Sequence, residues 1–368
     1  MGAMWKKRHM VYYVSAHGYG HGVRASDLIG GLLDVAPELR LTVISDLPED
    51  FFRSRLPAAD GRVAFAPGAF DVGMVQRDSI RVDVAATLAQ AERLLARHDE
   101  LVAQEVARLR EVKADRVVAV IPGIPLAAAA QAGVPGVAVG NFSWDWIYAP
   151  FVAQNPRWEP IIRMFADDYR QVRLLLKLPF SPAMEVFARQ TPVPLLARPG
   201  RNRRAELAAA VGAVPGKKWV LLSFTTLGWD ADALRAVGGL AEYEFFTVKP
   251  LAWRGQPNLH AVDRHAFSFS DVLASVDFVI TKPGYGILSD CVANRKPIIY
   301  AEREDFIEYP LLVQELRRYL AHVHIPAADL YAGHLAAALR AAETAPPPPE
   351  QLAFGGARVA AELLLNVG

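Results

Sequence analysis

A single cysteine, Cys291, is all that the 368 residues contain. It cannot form an intramolecular disulfide, and no spacing of Cys and His residues resembles a zinc site. This usage fits a reducing, cytoplasmic location. An excess of charge of either sign is missing too, because 40 basic and 39 acidic residues give a net charge of +1 at pH 7. No overall field therefore attracts nucleic acid or an anionic membrane.

Long hydrophobic runs are also missing. The apolar segment after the basic N-terminus ends at Ala16, too short for a signal peptide or a membrane span. The basic and aromatic residues 5–8 leave open only a peripheral membrane contact. By contrast, 52% of the residues are hydrophobic and 10% aromatic, which is enough for real cores and too much for a disordered chain. At about 150 residues per domain, the length predicts two domains.

Short β-branched runs alternate with longer amphipathic stretches, a pattern typical of βαβ units around a parallel sheet. The predicted strands are 10–16, 41–45, 62–66, 116–121, 136–140, 219–224, 245–248, 278–281 and 297–300. The predicted helices are 21–35, 84–112, 124–132, 231–238, 271–276, 286–293, 308–319 and 357–365. The stretch 84–112 spaces its leucines and valines at helical intervals, which predicts one long helix. The proline-rich stretch 191–200 predicts a linker between two doubly wound domains.

A loop rich in glycine and histidine, Ala16-His17-Gly18-Tyr19-Gly20-His21-Gly22, leaves the first predicted strand and opens a helix. Glycines let a ligand approach the backbone, and a helix N-terminus attracts anions. Histidines at the carboxyl end of such a strand favour a general base. The alternative is that each histidine only caps or packs its own turn. A dinucleotide site using Asp46 is disfavoured because Val23 replaces the third glycine of that fingerprint.

A second glycine loop, Thr281-Lys-Pro-Gly-Tyr-Gly-Ile-Leu-Ser-Asp290, again joins a strand to a helix. Gly284 and Gly286 would present backbone N–H groups to a diphosphate, and Asp290 would accept from ribose hydroxyls. Lys282 adds a positive charge before the turn. A plain strand-to-helix turn with a solvated lysine is the alternative.

The tract from Asp277 to Asp290, followed by Pro297 and by residues 303–310, resembles the donor-binding half of GT-B glycosyltransferases of the MurG and UDP-glycosyltransferase type. The N-terminal half, with residues 12–22 and 141–148, is similar to the glycosyltransferase-like region of plant-type L-arabinokinases. The resemblance implies an α/β protein of the GT-B fold, with two Rossmann-like doubly wound domains facing each other across a cleft. It implies an acceptor-binding domain over 1–195, a nucleotide-sugar-binding domain over 196–350, and a helix in 351–368 that returns to the first domain. No kinase-type phosphate loop is present, so kinase activity does not carry over.

The same resemblance implies roles for individual residues. It places the general base at His21, with His17 beside it or on the donor phosphates, and Asp83 or Asp145 is the candidate carboxylate partner of His21. The implied donor contacts are Ser223, Thr225, Thr226, Phe267, Lys282, Gly284, Tyr285, Gly286, Asp290, Asp305 and Glu308. The implied acceptor contacts are Gly20, Asn141, Trp144, Trp146 and Tyr148. Core packing is the alternative for Phe267 and the tryptophans, and a solvated acidic loop is the alternative for Asp305 and Glu308.

These implications add up to a glycosyltransferase that moves a sugar from a nucleoside-diphosphate sugar, most often a UDP-sugar, to a hydroxyl acceptor with inversion. The nucleotide sugar is then a co-substrate, and we expect no metal or other cofactor. The expected partners are the nucleotide sugar and a small-molecule or glycan acceptor, with no nucleic acid and no transmembrane segment. A sugar-nucleotide epimerase and a non-catalytic sugar-nucleotide-binding protein are the alternatives.

Overall fold

The computed structural model describes residues 8–56, 61–77, 80–224, 226–248, 255–304 and 306–367. Within these ranges the chain forms two compact units, each built on one parallel sheet. The first unit runs to Val75, resumes over Asp83–Ala197 and takes in the residues from Ala353 onward. The second unit comprises Arg198–Leu352 and a short excursion, Gln76–Val82.

The sheet of the first unit has seven parallel strands in the order β3-β2-β1-β4-β5-β6-β7. They are β1 (His9–Val14), β2 (Arg40–Ile44), β3 (Val63–Ala66), β4 (Arg116–Val120), β5 (Gly136–Gly140), β6 (Leu174–Lys177) and β7 (Gln190–Pro192). The strand order reverses between β1 and β4. Ligands of open α/β sheets bind outside the carboxyl ends of strands at such a switch point.

Helices cover this sheet, and a short 3₁₀ helix follows at Ala149–Ala153. The helices are α1 (Tyr19–Val35), α2 (Glu49–Arg55), α3 (Val84–Ala96), α4 (His98–Glu111), α5 (Ile124–Ala132), α6 (Trp144–Tyr148) and α7 (Trp158–Arg170). The final helix of the chain, α15 (Gly356–Asn366), belongs to this unit and packs on α1. A glycine is needed at that contact, because a β-carbon at Gly31 would lie 2.9 Å from the carbonyl oxygen of Ala357.

The expectation of one long helix over 84–112 is wrong. The segment forms α3 and α4, which meet at Arg97, where φ of −108° and ψ of 3° leave helical geometry. The break lets His98 begin the second helix with its Nε2 atom 3.0 Å from Oδ1 of Asp168 on α7. Helical spacing of apolar residues continues through the break, so the sequence pattern alone does not reveal it.

The sheet of the second unit has six parallel strands in the order β10-β9-β8-β11-β12-β13, which reverses between β8 and β11. They are β8 (Lys218–Ser223), β9 (Tyr243–Thr247), β10 (Leu259–Ala261), β11 (Phe278–Thr281), β12 (Ile298–Tyr300) and β13 (His322–His324). The helices are α8 (Arg204–Val211), α9 (Ala231–Gly238), α10 (Phe269–Ser275), α11 (Tyr285–Asn294), α12 (Glu308–Tyr319), α13 (Ala327–Tyr331) and α14 (Ala336–Glu343). Buried side chains of these strands and helices form a core separate from that of the first unit.

All nine predicted strands are present within a residue or two of the expected bounds. The sequence did not predict β6, β7, β10 or β13, which are only three or four residues long and lie towards the sheet edges. The first residues of the predicted linker, Thr191 and Pro192, belong to edge strand β7, where a proline is tolerated. None of the helices formed by the described residues is long and apolar enough to cross a membrane.

Candidate functional site

A histidine–aspartate pair lies beyond the carboxyl end of β1. Nε2 of His17 is 2.7 Å from Oδ1 of Asp71, a residue of the loop between β3 and α3. The carboxylate side chain is 3% exposed and that of His17 is 24% exposed. A buried carboxylate that orients a partly exposed imidazole is the arrangement expected of an acid–base residue.

Three further groups fix this pair. The indole Nε1–H of Trp144 donates to Oδ2 of Asp71 at 2.9 Å, and the Ser15 hydroxyl donates to Oδ1 at 3.2 Å. On the same loop, Gly73 packs against the His17 ring, and its carbonyl oxygen accepts from the Tyr148 hydroxyl at 2.9 Å. Trp144 and Tyr148, predicted as acceptor contacts, therefore hold the loop that carries Asp71.

The charges in this pair shift both pKa values. Burial alone lowers the pKa of His17, but the charge and hydrogen bond of Asp71 outweigh it and raise the pKa above its ordinary value of 6.5. Burial alone raises the pKa of Asp71, but His17 and the Trp144 hydrogen bond outweigh it and lower the pKa. Each group thus stabilises the charged form of the other.

His21 lies in a different environment, in the first turn of α1. Its ring meets the Phe142 ring edge-on, with centroids 5.8 Å apart. Burial, the Arg24 guanidinium and His17 lower its pKa to about 3, against the opposing effect of Asp71. His21 is therefore a neutral imidazole at physiological pH, and it is a much weaker base than His17.

Of the two carboxylates expected to orient His21, one caps a helix. The side chain of Asp83 caps α3 by accepting from the backbone N–H of Ala86 at 2.9 Å. Asp145 lies on α6, where burial raises the pKa of its carboxyl group. The carboxylate that the structure does place against a histidine of this loop is Asp71, and that histidine is His17. Sequence reasoning missed Asp71 because its loop has no periodic pattern, and the one available signal is a carboxylate two residues before a glycine.

The remaining acceptor-side predictions lie around the same sheet edge. Asn141 is buried, and its Nδ2 donates to the carbonyl oxygen of Pro179 at 2.6 Å. It thereby holds the loop that follows β6. Trp146 is half-buried on α6. Gly20, in α1, faces the Arg24 guanidinium, whose Nη2 atom would lie 3.6 Å from a β-carbon there. Asp46 accepts from the backbone N–H of Gly68 at 3.0 Å and so has a structural partner.

In the second unit, the strands β8 and β11 end side by side at the switch point. The Thr281 hydroxyl donates to the carbonyl oxygen of Ser223 at 3.0 Å, joining the two strand ends. Gly284 is the residue before α11, and a β-carbon there would have only Ile287 Cγ2 within 4 Å, at 4.0 Å. α11 begins directly after Gly284, and the first N–H groups of any α-helix cannot be satisfied by the helix's own carbonyl groups. This turn is therefore open and suited to an anion.

Two cations and a carboxyl group surround the turn that precedes α11. Nη1 of Arg303 donates to the carbonyl oxygen of Pro283 at 3.3 Å, while Nε of Arg303 is buried with no hydrogen-bond partner in the described part of the chain. Burial lowers the pKa of Arg303 to about 10. Burial raises the pKa of Glu308, against the opposing charges of Arg303 and Lys282. Sequence reasoning named Lys282 and Glu308 but missed Arg303.

The other donor-side predictions divide into three groups. Phe267 is a packing residue, because its ring is buried and lies under the Arg203 guanidinium, 4.3 Å from the ring centroid. Asp290 lies half-buried on α11, and Thr226 is exposed after β8. Thr225 and Asp305 lie outside the described residues.

An Asp-x-Asp sequence, the kind that holds a divalent ion in many transferases, occurs at Asp230–Asp232. Here Oδ1 of Asp230 accepts from the backbone N–H groups of Asp232 and Ala233 at 3.0 and 2.9 Å and caps α9. The carboxylate of Asp232 pairs with Arg235 one turn later. Both carboxylates thus stabilise helix α9. In the described ranges no group of three or more His, Cys, Asp or Glu residues is placed to hold a metal ion.

Comparison with curated proteins identifies one relative. The chain is 29% identical over 369 residues to an L-arabinokinase of Arabidopsis thaliana, a match that covers 99% of this chain and 35% of that protein. The chain thus spans about a third of the length of the relative. The sequence implied a likeness to L-arabinokinases for the N-terminal half of this chain, and the match extends over both units. No family model matches the chain.

Comparison with solved structures identifies the fold. UGT71G1 of Medicago truncatula, complexed with UDP-glucose, matches with a TM-score of 0.64 at 11% identity, covering 98% of each chain. MurG of Acinetobacter baumannii matches with a TM-score of 0.53 at 13% identity, covering 98% of this chain and 99% of its own. These likenesses confirm the expected GT-B fold with its two Rossmann-like domains.

Proposed function

We propose that the protein is a glycosyltransferase that moves a sugar from a nucleoside-diphosphate sugar, a UDP-sugar first among them, to a hydroxyl group of a small-molecule or glycan acceptor, with inversion. The observation that carries this proposal is the His17–Asp71 pair at the switch point of the first sheet. The GT-B fold and the open anion turn before α11 support it. The nucleotide sugar binds the second unit, and the acceptor binds the first.

In the proposed reaction His17 is the general base. The acceptor oxygen attacks the anomeric carbon as its proton passes to the imidazole, and the nucleoside diphosphate leaves with the electron pair of the broken bond. The carboxylate of Asp71 stabilises the imidazolium that forms. We favour His17 over His21 because a base works best when its pKa lies near the operating pH, and burial holds the pKa of His21 at about 3.

The second unit contributes to departure of the leaving group. The N-terminal N–H groups of α11 and the cations Lys282 and Arg303 face the charge that grows on the diphosphate. Asp290 accepts from the ribose, and Glu308 contacts hydroxyls of the donor sugar. In this proposal, neither the N–H groups and cations that face the diphosphate nor the two carboxylates that contact the sugars need a metal ion.

The test compares single histidine variants in a transfer assay with UDP-, GDP-, dTDP- and ADP-sugars and a panel of hydroxyl acceptors. We expect His17→Ala to lose transfer by about 10²–10⁴-fold, the usual contribution of a general base. Binding of the nucleoside diphosphate, measured by thermal shift with and without Mg²⁺, stays within about twofold of the wild-type value because His17 does not hold the donor.

His21→Ala is the matched comparison, and we expect a loss of less than about tenfold. If His21→Ala abolishes transfer and His17→Ala does not, the base is His21 and our assignment is wrong. Conversion of the donor without any acceptor would instead identify an epimerase. Tight donor binding with no turnover of any acceptor would identify a sugar-nucleotide-binding protein.

A further inference from the structure

The loop that carries His17 and His21 also presents a large aromatic side chain to solvent. Tyr19 begins α1 and is 51% exposed, and its neighbours His17 and Gly18 are exposed with it. The Cα atoms of Tyr19 and His17 lie at most about 7 Å apart, because two residues of chain span no more than that. An exposed aromatic ring therefore lies next to the proposed base, and the proposed reaction gives it no role.

The ring of Tyr19 has a defined packing partner on α2. Its centroid lies 5.2 Å from that of Phe51, and the two ring planes are inclined by 44°. Phe51 reaches this position because α2 packs closely on the first turn of α1: a β-carbon at Gly22 would lie 2.5 Å from the Phe51 ring and 2.6 Å from Cδ1 of Leu47. The contact still leaves about half of Tyr19 uncovered. A ring that is already packed on one side loses little freedom when a ligand covers the rest.

The two glycines that flank Tyr19 leave room for a ligand beside its ring. Among the described residues, nothing lies within 4 Å of a β-carbon position at Gly18. At Gly20 the Arg24 guanidinium comes within that distance, at 3.6 Å. The φ of +157° at Gly18 is one that residues with a side chain rarely adopt. The Gly-Tyr-Gly sequence thus keeps the backbone on both sides of the ring open to a ligand.

Three other aromatic side chains of this sheet edge, those of Phe142, Trp144 and Tyr148, are buried. Trp144 and Tyr148 bond to the loop that carries Asp71. A planar polycyclic ligand is normally held in a pocket lined by several apolar and aromatic side chains. A single exposed ring beside an imidazole suits a carbohydrate instead. One face of a sugar ring carries C–H groups that pack on an aromatic ring, while its hydroxyl groups take directional hydrogen bonds.

We propose that Tyr19 is the surface on which a carbohydrate acceptor stacks while one of its hydroxyl groups faces His17. This inference rests on the proposed function, and it narrows the acceptor from hydroxyl compounds in general to saccharides. Tyr19 and His17 are close enough in the chain for a single sugar ring to contact both. Tyr19 is then an acceptor-binding residue that takes no part in proton transfer.

The first experiment needs no nucleotide sugar. Saturation-transfer NMR measures the binding of glucose, galactose, xylose and maltose, and of phenol and catechol as planar hydroxyl compounds. We expect at least one saccharide to bind the wild type, with its ring C–H protons receiving most of the saturation, and we expect both phenols to bind more weakly. Binding of the phenols alone, or of none of these compounds, would overturn the inference.

Variants of Tyr19 then test the stacking itself. Tyr19→Leu keeps an apolar contact with Phe51 but has no ring face, whereas Tyr19→Phe keeps the ring. We expect Tyr19→Ala and Tyr19→Leu to weaken saccharide binding about tenfold or more, equivalent to about 1.4 kcal/mol, and Tyr19→Phe to stay within about threefold of the wild type. Phe354→Ala is the control and should bind as the wild type does, since Phe354 is 48% exposed in the same unit but outside the histidine loop.

Two outcomes of these binding measurements would contradict the inference. Equal saccharide binding by the wild type and by Tyr19→Ala would show that the ring carries no ligand. A loss in Trp146→Ala without a loss in Tyr19→Ala would place the stacking surface on α6, where Trp146 is half-buried.

The second experiment is the transfer assay with the saccharide that binds best. We expect the acceptor KM to rise about tenfold in Tyr19→Ala, with kcat within about threefold and UDP binding within about twofold of the wild type, because the ring contacts only the acceptor. A fall in kcat at an unchanged acceptor KM would overturn the inference while the proposed function stands. A wild type that binds saccharides through Tyr19 but transfers no sugar from any nucleotide sugar would instead overturn the proposed function and leave Tyr19 a saccharide-binding residue.

Discussion

Gly73 lies so close to His17 that a β-carbon at position 73 would overlap the imidazole ring. Its φ of +70° is also one that residues other than glycine rarely adopt. Position 73 thus combines a backbone requirement with a close approach, two residues after Asp71. The glycine is what allows the loop to hold the imidazole from one side while the carboxylate holds it from another.

Gly73→Ala should consequently abolish most of the transfer activity. The methyl group displaces the His17 ring, and a misplacement of about 1 Å costs about 10²-fold in rate. Backbone strain at positive φ and the overlap should together lower the free energy of unfolding by about 1–3 kcal/mol. The measurements are kcat with a sugar nucleotide and urea denaturation.

Gly133→Ala separates the effect of backbone strain from the effect of displacing the His17 ring. Gly133 has nearly the same φ of +72°, and nothing lies within 4 Å of the position of its β-carbon. We expect a similar strain cost of about 1 kcal/mol with normal kcat. Equal kcat in the two variants would show that the contact between Gly73 and His17 has no role in catalysis.

Asp71→Asn should change the pH dependence of transfer. A general base must be unprotonated, so kcat/KM rises with pH through the pKa of His17, which Asp71 raises above 6.5. Removing the negative charge lowers that pKa and moves the acid limb of the profile to lower pH. The maximal rate falls as well, because the imidazolium loses its partner. A full profile of kcat/KM against pH measures both effects.

Asp83→Asn is the control for this prediction. Asparagine is as good a helix N-cap as aspartate, so α3 and the free energy of unfolding should change by less than about 0.5 kcal/mol. The acid limb of the profile should stay where it is in the wild type. A shift in Asp83→Asn as large as that in Asp71→Asn would return the carboxylate role to the residue that the sequence suggested.

The fold was largely predictable from sequence because the central strands of both sheets are buried apolar runs that stand out from their neighbours. The strands β10 and β13 have three residues each and lie at the sheet edges, where little apolar surface marks them. The break at Arg97 is invisible for another reason: the contact that it permits, between His98 and Asp168, joins residues seventy positions apart in sequence.

The candidate site was predictable only in part. Both glycine loops were identified, since glycine and histidine at strand ends carry a local signal. Asp71, the carboxylate that contacts His17, was not identified, because it reaches His17 through the tertiary fold from a loop without pattern. The same holds for Arg303, whose distance in sequence from Pro283 hides their contact. For Phe267 the structure shows a buried ring under the Arg203 guanidinium, which agrees with the core-packing alternative that the sequence left open.

The His98–Asp168 pair predicts a pH dependence of stability. The hydrogen bond to Asp168 raises the pKa of His98 from 6.5 to about 9. A raised pKa contributes stability that is fully present below the unfolded value of about 6.5 and is lost as pH rises through about 9. After allowing for solvent screening, we expect a loss of about 1–2 kcal/mol between about pH 6 and pH 10.

The measurement is the urea-unfolding free energy of the wild type and of His98→Gln at those two pH values. The variant has no imidazole to titrate at position 98. Its free energy of unfolding should therefore fall by about 1–2 kcal/mol less over the same pH interval than that of the wild type. The same pH dependence in both proteins would contradict the prediction and would place the titrating group elsewhere.

Gly284→Ala tests the proposed diphosphate turn by separating stability from binding. The φ of −164° at Gly284 is extended backbone that alanine adopts without strain, and its methyl group would meet only Ile287 Cγ2 at 4.0 Å. The free energy of unfolding should therefore change by less than about 0.5 kcal/mol.

The methyl group projects into the space where an anion must approach the N–H groups of α11. We expect the affinity for a nucleoside diphosphate to fall about tenfold or more, equivalent to about 1.4 kcal/mol. Gly216→Ala is the matched control, since nothing lies within 4 Å of its β-carbon position either and no anion site is proposed there. Calorimetric titration with UDP measures the affinity, and unchanged affinity in Gly284→Ala would place the diphosphate away from this turn.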